Sequence, residues 1–328
     1  MKYFSTFTGA GGFELGIEYA LETNKKNTQC SRKEDEKGVR SRKDGSSHER
    51  CQRLDGGDES GLCKQSDKCR SRQPICVGFS EIDKYANQVL KYNFPNTKNY
   101  GDIKEIDWST VPDFDLLVGG SPCQDLSVAG KQAGLSGERS GLFTEYIRAL
   151  QEKKPKHFIW ENVKGALSSN QGWDFAEVQT QMAEAGYSLW WQVLNAKDFG
   201  VPQNRERIFV VGTRGERGRE VLFKREEPEE NTKRVGEDVS YAIDANYYKG
   251  TNTTLKGRRQ VIKDVRIRRL TPIECERLMS WPDDWTRWGI IDGEKKEMSD
   301  TQRYKMCGNG VVSKVVEEIY KSQGWRLV

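Results

Sequence analysis

At 328 residues the chain is long enough to bury a substantial core, which suits one large domain with a smaller lobe rather than several independent units. Only two histidines, His48 and His157, are present, which argues against Ser-His-Asp chemistry and against a His-rich metal site and leaves proton transfer to carboxylates or water. The net charge of +4 is mildly suited to nucleic acid but is local: residues 25–74 hold 14 Lys+Arg against 9 Asp+Glu, while the rest of the chain holds 39 against 40.

Met1 to Phe7 enter an alternating apolar pattern with none of the features of an export signal, and no segment approaches the ~20 apolar residues that cross a bilayer. A cytoplasmic protein away from membranes, its eight cysteines reduced, is therefore expected.

In chain order, Tyr3 to Phe7 predicts a strand, Thr8 to Gly12 a Gly-rich turn, and Phe13 to Glu22 an amphipathic helix with Phe13, Ile17, Ala20 and Leu21 on its apolar side. Lys25 to Pro74 has only Val39, Leu54 and Leu62 as aliphatic residues larger than alanine and reads as a solvated insertion. Its Cys30, Cys51, Cys63, Cys69 and His48 lack the paired Cys-x-x-Cys spacing of a zinc knuckle, so no metal is expected. Ile75 to Glu81 then predicts a strand ending in a carboxylate, Asp83 to Tyr92 a helix, and Phe114 to Gly119 a continuous apolar strand. Leu142 to Lys153 (helix), His157 to Trp160 (strand), Trp173 to Ala185 (helix) and Arg207 to Gly212 (buried strand) follow. Strands alternating with helices indicate an α/β fold built on a mostly parallel, doubly wound sheet. Gly215 to Arg259 is polar and Gly-rich, suiting a small irregular lobe. Thr271 and Pro272 mark a helix start, with Cys275, Leu278 and Met279 at helical spacing, and Ser313 to Ser322 predicts the last helix.

Phe7-Thr8-Gly9-Ala10-Gly11-Gly12 joins strand to helix, where glycines permit close approach of a ligand to backbone. Read alone, such a turn serves many nucleotide cofactors, or tight packing only. Glu81, at a strand end, can take both hydroxyls of a ribose, and Asp102 can accept from an adenine amino group. With no second phosphate-binding feature, an adenosine cofactor fits better than a dinucleotide. Gly119-Gly120-Ser121-Pro122-Cys123-Gln124 follows the most apolar strand, which puts Cys123 in the crevice beyond the carboxyl end of a central strand. A lone cysteine is more often a small buried hydrophobe, but the flanking Gly-Gly and Pro shape a turn here. Glu161 ends the next strand at the same edge, and Arg205 and Arg207 occupy alternate positions before a later one, so a thiol, a carboxylate and two cations can converge.

These motifs, in this order, resemble the DNA cytosine-5 methyltransferase family from Tyr3 to Gly16 and from Ile75 to the C-terminus. They comprise the Phe-x-Gly-x-Gly-Gly turn, Glu81, Gly101-Asp102-Ile103, Ser121-Pro122-Cys123-Gln124, Glu161-Asn162-Val163 and Gln203-x-Arg205-x-Arg207. Arg269-Leu270-Thr271-Pro272 with Glu276-Arg277-Leu278, and Gly308-Asn309, complete the set. The resemblance implies a Rossmann-like fold with S-adenosylmethionine as methyl donor. Cys123 would add to C6 of a flipped cytosine, Glu161 would bind N3 and the amino group, and Arg207, with Arg205 nearby, would hold O2 and backbone phosphate. Phe7, Gly9, Gly11 and Gly12 would face the methionine end, Glu81 the ribose, Ile82 an adenine face, and Asp102 with Ile103 the adenine edge. Pro122, Leu142 and Asn309 would complete that pocket. Gln124 to Gly141, with Gly130, Gly134 and Gly137 as hinges, resembles the loop that closes over the base.

The implied catalytic domain is discontinuous, residues 1–212 plus 303–328, with residues 213–302, including the 269–285 helix region, as a short target-recognition lobe. Double-stranded DNA is the expected partner, a cognate restriction endonuclease is compatible with it, and a monomer is expected. The basic excess of the insertion would add nonspecific phosphate contacts. The alternatives are a tRNA cytosine-5 methyltransferase of the same family and a non-catalytic DNA-binding relative; an oxidoreductase lacks its pyrophosphate site here, and an amino-methylating enzyme would carry Asp or Asn before Pro-Pro where this chain has Ser121-Pro122-Cys123.

Overall fold

A computed structural model describes residues 1–22, 74–122, 141–215, 240–241, 260–263 and 266–325. The insertion at Lys25 to Pro74 (apart from Pro74), Cys123, the loop from Gln124 up to residue 140 and most of the 213–268 stretch lie outside the described residues.

The chain opens with strand β1 (Lys2–Thr6) and helix α1, which runs from residue 12 to the last described position, 22. Strand β2 (Ile75–Ser80) leads into helix α2 (Lys84–Asn93), whose N-cap Asp83 accepts from the backbone N–H groups of Tyr85 and Ala86 and so satisfies donors left open by the first turn. Strand β3 (Leu116–Gly119), helix α3 (Gly141–Lys153), strand β4 (His157–Val163), helix α4 (Trp173–Glu184) and strand β5 (Tyr187–Asn195) follow. The two-residue β6 (Gln203–Asn204) precedes β7 (Glu206–Arg214) and pairs with β8 (Ser240–Tyr241). Strands β9 (Gln260–Lys263) and β10 (Arg266–Arg269) form an antiparallel pair. Helix α5 (Pro272–Leu278), the hairpin β11 (Trp288–Ile291) and β12 (Glu294–Glu297), helix α6 (Asp300–Asn309) and helix α7 (Ser313–Ser322) complete the described chain.

Six strands form one sheet in the order β2-β1-β3-β4-β7-β5. The first four are parallel, and β7 runs antiparallel to both β4 and β5. The expected mostly parallel sheet is thus present, and its reversed strand was not apparent in the sequence.

Alternation along the strands splits the core in two. Tyr3, Leu116, Val118, Ile159, Phe209 and Val211 face one side, where α1 (Phe13, Ile17, Ala20), α5 (Cys275, Leu278) and α7 (Val315, Val316, Ile319) cover them. Phe4, Leu117, Phe158, Trp160, Ile208 and Val210 face the other, under α3 (Phe143, Tyr146, Ile147, Leu150) and α4 (Phe175, Val178, Met182). Helices on both faces are what the doubly wound reading requires. Leu270, Cys275, Leu278, Met279 and Trp281, from the region grouped by sequence with the recognition lobe, belong to the first of these two cores.

The reversal of β7 matters for the site. Its register pairs Val163 with Arg207 and Glu161 with Phe209, so the start of β7 meets the end of β4. A parallel strand would have carried Arg207 to the opposite edge of the sheet. Among the described residues no helix is long and apolar enough to cross a membrane.

Candidate active site

The carboxyl ends of β1 and β2 build the first half of the site. Phe7, Gly9 and Gly11 adopt left-handed backbone, with φ of 53°, 58° and 92°. Glycine takes such angles without strain, whereas Phe7 needs its surroundings to hold it. Gly12 permits a close approach: a Cβ there would lie 2.7 Å from the carbonyl oxygen of Val311. The Gly9 N–H donates to Glu81 Oε2 at 2.7 Å, and Glu81 Oε1 accepts from the N–H groups of Ile82 at 2.9 Å and Asp83 at 2.8 Å. Burial raises the Glu81 carboxyl above the ordinary range, and the N–H groups of Asp83, Gly9 and Ile82 oppose that shift by favouring the carboxylate. The anion is thus fixed with lone pairs to spare for hydroxyl donors.

Ile82, directly after it, is 67% exposed, a large apolar face left open beside a half-buried carboxylate. Asp102 is partly exposed and caps a short 3₁₀ turn by accepting from the Lys104 N–H at 3.0 Å. Ile103 was expected with Asp102 at the adenine edge. Its side chain is buried in the core with Phe4 and Trp108, and its carbonyl accepts from Arg148 Nη2 at 2.8 Å, so any contact with a ligand falls to its main chain. Pro122 and Asn309 are exposed, and Leu142 and Phe7 are half-buried against the second core.

The second half of the site lies at the ends of β3 and β4. A Cβ on Gly119 would lie 2.5 Å from the Thr6 carbonyl oxygen, and one on Gly120 would lie 2.8 Å from Glu161 Oε2. Both glycines let the chain pass between β1 and β4 where no side chain fits. Beyond them, Ser121 is pinned to β4: Trp160 Nε1 donates to its hydroxyl and Asn162 Nδ2 to its carbonyl, each at 3.3 Å. The residue that leads to Cys123 through Pro122 is therefore anchored to both neighbours of Glu161. Cys123 itself lies outside the described residues.

Glu161 pairs with Arg207, Nε to Oε1 at 3.0 Å, with both side chains largely buried. Burial raises the Glu161 carboxyl, while Arg207 and then Arg205 pull it down; burial prevails. Arg205 has partners that the sequence did not suggest. It is 3% exposed, and its Nη2 donates to the carbonyls of Gly308 at 3.0 Å and Gly310 at 2.7 Å, the two residues flanking Asn309. Trp160 and Asn162, to which the sequence assigned no role of their own, hold Ser121, two residues before Cys123. Trp285, whose Nε1 donates to the Ala10 carbonyl at 2.6 Å from 275 residues away, carries no sequence signal at all.

A profile for the C-5 cytosine-specific DNA methylases matches residues 69–249 and 224–325. The type II methyltransferase M2.ScrFI of Lactococcus lactis subsp. cremoris is 35% identical over 280 residues, which cover 74% of this chain and 76% of that protein. The orphan methyltransferase M.SPRI of Bacillus phage SPR is 46% identical over 153 residues, 46% of this chain but 34% of its own length. Among solved structures, the Entamoeba histolytica methyltransferase EhMeth superposes with a TM-score of 0.64 over 98% of this chain and 97% of its own, at 15% identity, a likeness of fold. The chain belongs to the C-5 cytosine-specific DNA methylase family.

Proposed function

We propose that this protein methylates C5 of a cytosine flipped out of duplex DNA, with Cys123 as covalent nucleophile and S-adenosylmethionine as methyl donor. The observation that carries the reading is the contact of Gly120 with Glu161: the turn that delivers Cys123 is seated against the carboxylate that would read the base.

C5 of cytosine is too weak a nucleophile to take a methyl group unaided, so a thiolate must add at C6 first. Cys123 supplies it. Glu161, whose raised carboxyl range makes a shared proton inexpensive, hydrogen-bonds N3 and the amino group and draws electron density from the ring as the Cys123–C6 bond forms. Arg207 holds Glu161 in place through the 3.0 Å contact and presents its remaining donors to O2. Loss of the C5 proton to water, once C5 carries the methyl group, breaks the Cys123–C6 bond, returns the electron pair to sulfur and restores the aromatic base.

The residues at the ends of β1 and β2 suit the adenosyl donor, which supplies an electrophilic methyl group when bound. The left-handed Gly9 and Gly11 offer backbone to the methionine end, Glu81 has free lone pairs for ribose hydroxyls, and exposed Ile82 offers a flat apolar contact to adenine. Asp102 and the main chain of Ile103 would serve the adenine edge, with Pro122, Leu142 and Asn309 closing the pocket. Arg205 acts as a positioning residue that holds the Asn309 turn, and target recognition is assigned to the stretch from Thr213 to Arg268.

Bisulfite sequencing of DNA from cells expressing the protein, beside a Cys123→Ser control, tests the reading. Protected cytosines at one short sequence, lost in the control, are expected; conversion of every cytosine in both would overturn it, and methyl transfer confined to tRNA would move the substrate to RNA.

A further inference from the structure

In the turn assigned to the methyl donor, Phe7 holds a left-handed conformation that is strained in a non-glycine residue and persists only when neighbours over-determine it. Three local bonds contribute: Gly11 N–H to the Thr8 carbonyl at 3.2 Å, Thr8 Oγ1 to Ser5 Oγ at 3.0 Å, and Gly9 N–H to Glu81. Two more come from the far end of the sequence, from Trp285 Nε1 to the Ala10 carbonyl and from the Ser313 hydroxyl to the Gly12 carbonyl at 2.8 Å. The indole also lies against the turn itself, since a Cβ on Gly11 would be 3.5 Å from Trp285 Cζ2 and 2.8 Å from Phe94 Cε2, and the Phe94 and Trp285 rings meet edge to face at 5.8 Å.

Trp285 is in turn gripped from both sides. Its neighbours Asp284 and Thr286 donate their backbone N–H groups to Glu276 of α5, each at 2.9 Å, and the Thr286 hydroxyl donates to the same carboxylate. Arg303 of α6 meets both Glu276 oxygens through Nη2 at 3.0 Å and Asp284 Oδ1 at 3.1 Å. Glu276 is 0% and Arg303 6% exposed, so neither reaches a substrate. A buried ion pair contributes little net stability against an apolar replacement. Its geometry, however, fixes the residue that reaches back to the Ala10 carbonyl.

We propose that Trp285 is a positioning residue for the methyl donor, holding the Ala10 carbonyl and with it the Gly9 and Gly11 backbone, and that the Glu276–Arg303 pair influences the donor only through Trp285. The proposal rests on the assignment of Phe7 to Gly12 to S-adenosylmethionine. With the indole N–H removed the turn samples other conformations, and binding must reorder it; affinity for the donor falls while the DNA surface is untouched.

Trp285→Phe keeps a ring against Phe94 and removes the donor. Its Kd for S-adenosylmethionine by calorimetry should rise about five- to tenfold, the loss of one hydrogen bond. KM for the donor should rise with it, kcat at saturating donor should change less, and DNA affinity should hold. Hydrogen exchange should quicken in the peptide spanning residues 3–13. Glu276→Gln should weaken donor binding as well, and the double variant should bind no more weakly than Trp285→Phe alone. Thr286→Val, a milder change that removes one contact to Glu276, tests the same direction if the larger changes impair folding. Unchanged donor affinity in folded Trp285→Phe, or effects of the two substitutions that multiply, would overturn the proposal. A wild-type protein that does not bind S-adenosylmethionine would instead overturn the cofactor assignment.

Discussion

Arg205 Nη2 sits 2.7 Å from the carbonyl oxygen of Gly310, so a residue of the motif proposed to face the base holds the turn that carries Asn309, proposed for the donor pocket. Arg207, two positions later, is committed to Glu161 instead. On the proposed assignments the two arginines of one short motif serve different halves of the reaction, and their variants should separate in the same way.

Arg205→Lys should lower stability by about 1–2 kcal/mol and weaken donor binding, because an ammonium cannot reproduce the planar guanidinium between two carbonyls. Arg207→Lys should leave donor affinity near the wild-type value and lower kcat on DNA, since Glu161 loses its oriented partner. Thermal melts, donor calorimetry and single-turnover methyl transfer on the two variants make the comparison. Indistinguishable profiles would refute the division of labour.

Glu14, in the first turns of α1, gives the fold a pH dependence of its own. It is 0% exposed, and burial pushes its carboxyl from the ordinary 4.5 up to about 7, with the Ser5 hydroxyl opposing and Glu18 and Glu81 adding to the shift. Between those values the folded chain keeps a proton that the unfolded chain has lost. Stability therefore falls as pH rises from about 4.5 to 7 and levels off above, a contribution on the order of 3 kcal/mol. Glu14→Gln should flatten that part of the profile. Urea unfolding of both proteins at pH 5 and pH 8 measures it, and parallel pH dependences would show that Glu14 does not titrate in this window.

Much of this architecture was legible because the chain alternates apolar strands with amphipathic helices, and because Gly-rich turns and a capping threonine mark the boundaries. Thr271 and Glu274 form the full capping box that Thr271-Pro272 foreshadowed. Strand β5 was not legible: its residues are mostly half-buried, and Trp190 and Trp191 in succession break the period of two. Helix α6 escaped for a similar reason, with buried Arg303 and Gly308 where an amphipathic pattern would place aliphatic residues. The antiparallel sense of β7 is a property of the sheet rather than of its own sequence, yet it delivers Arg207 to Glu161. Long-range bonds such as Trp285 to Ala10 have no local signature.

Gly120 offers the most direct test of how the thiol-bearing turn is seated. A Cβ at this position would meet the Glu161 carbonyl oxygen at 2.7 Å and Oε2 at 2.8 Å, closer than side chains approach, and one of the two is backbone that cannot swing aside. Gly120→Ala must therefore push the turn away from β4 or displace Glu161, and either change moves Cys123 relative to the carboxylate. A misplacement of about 1 Å in a reacting group can cost about 100-fold in rate. Single-turnover methyl transfer at saturating DNA and donor should show a loss of that order, while donor affinity should fall far less, because of the residues proposed for the donor only Pro122 lies on this turn. A rate within about twofold of the wild-type value would mean that the turn is not seated on Glu161 during reaction, and the proposed pairing of thiol and carboxylate would lose its structural basis.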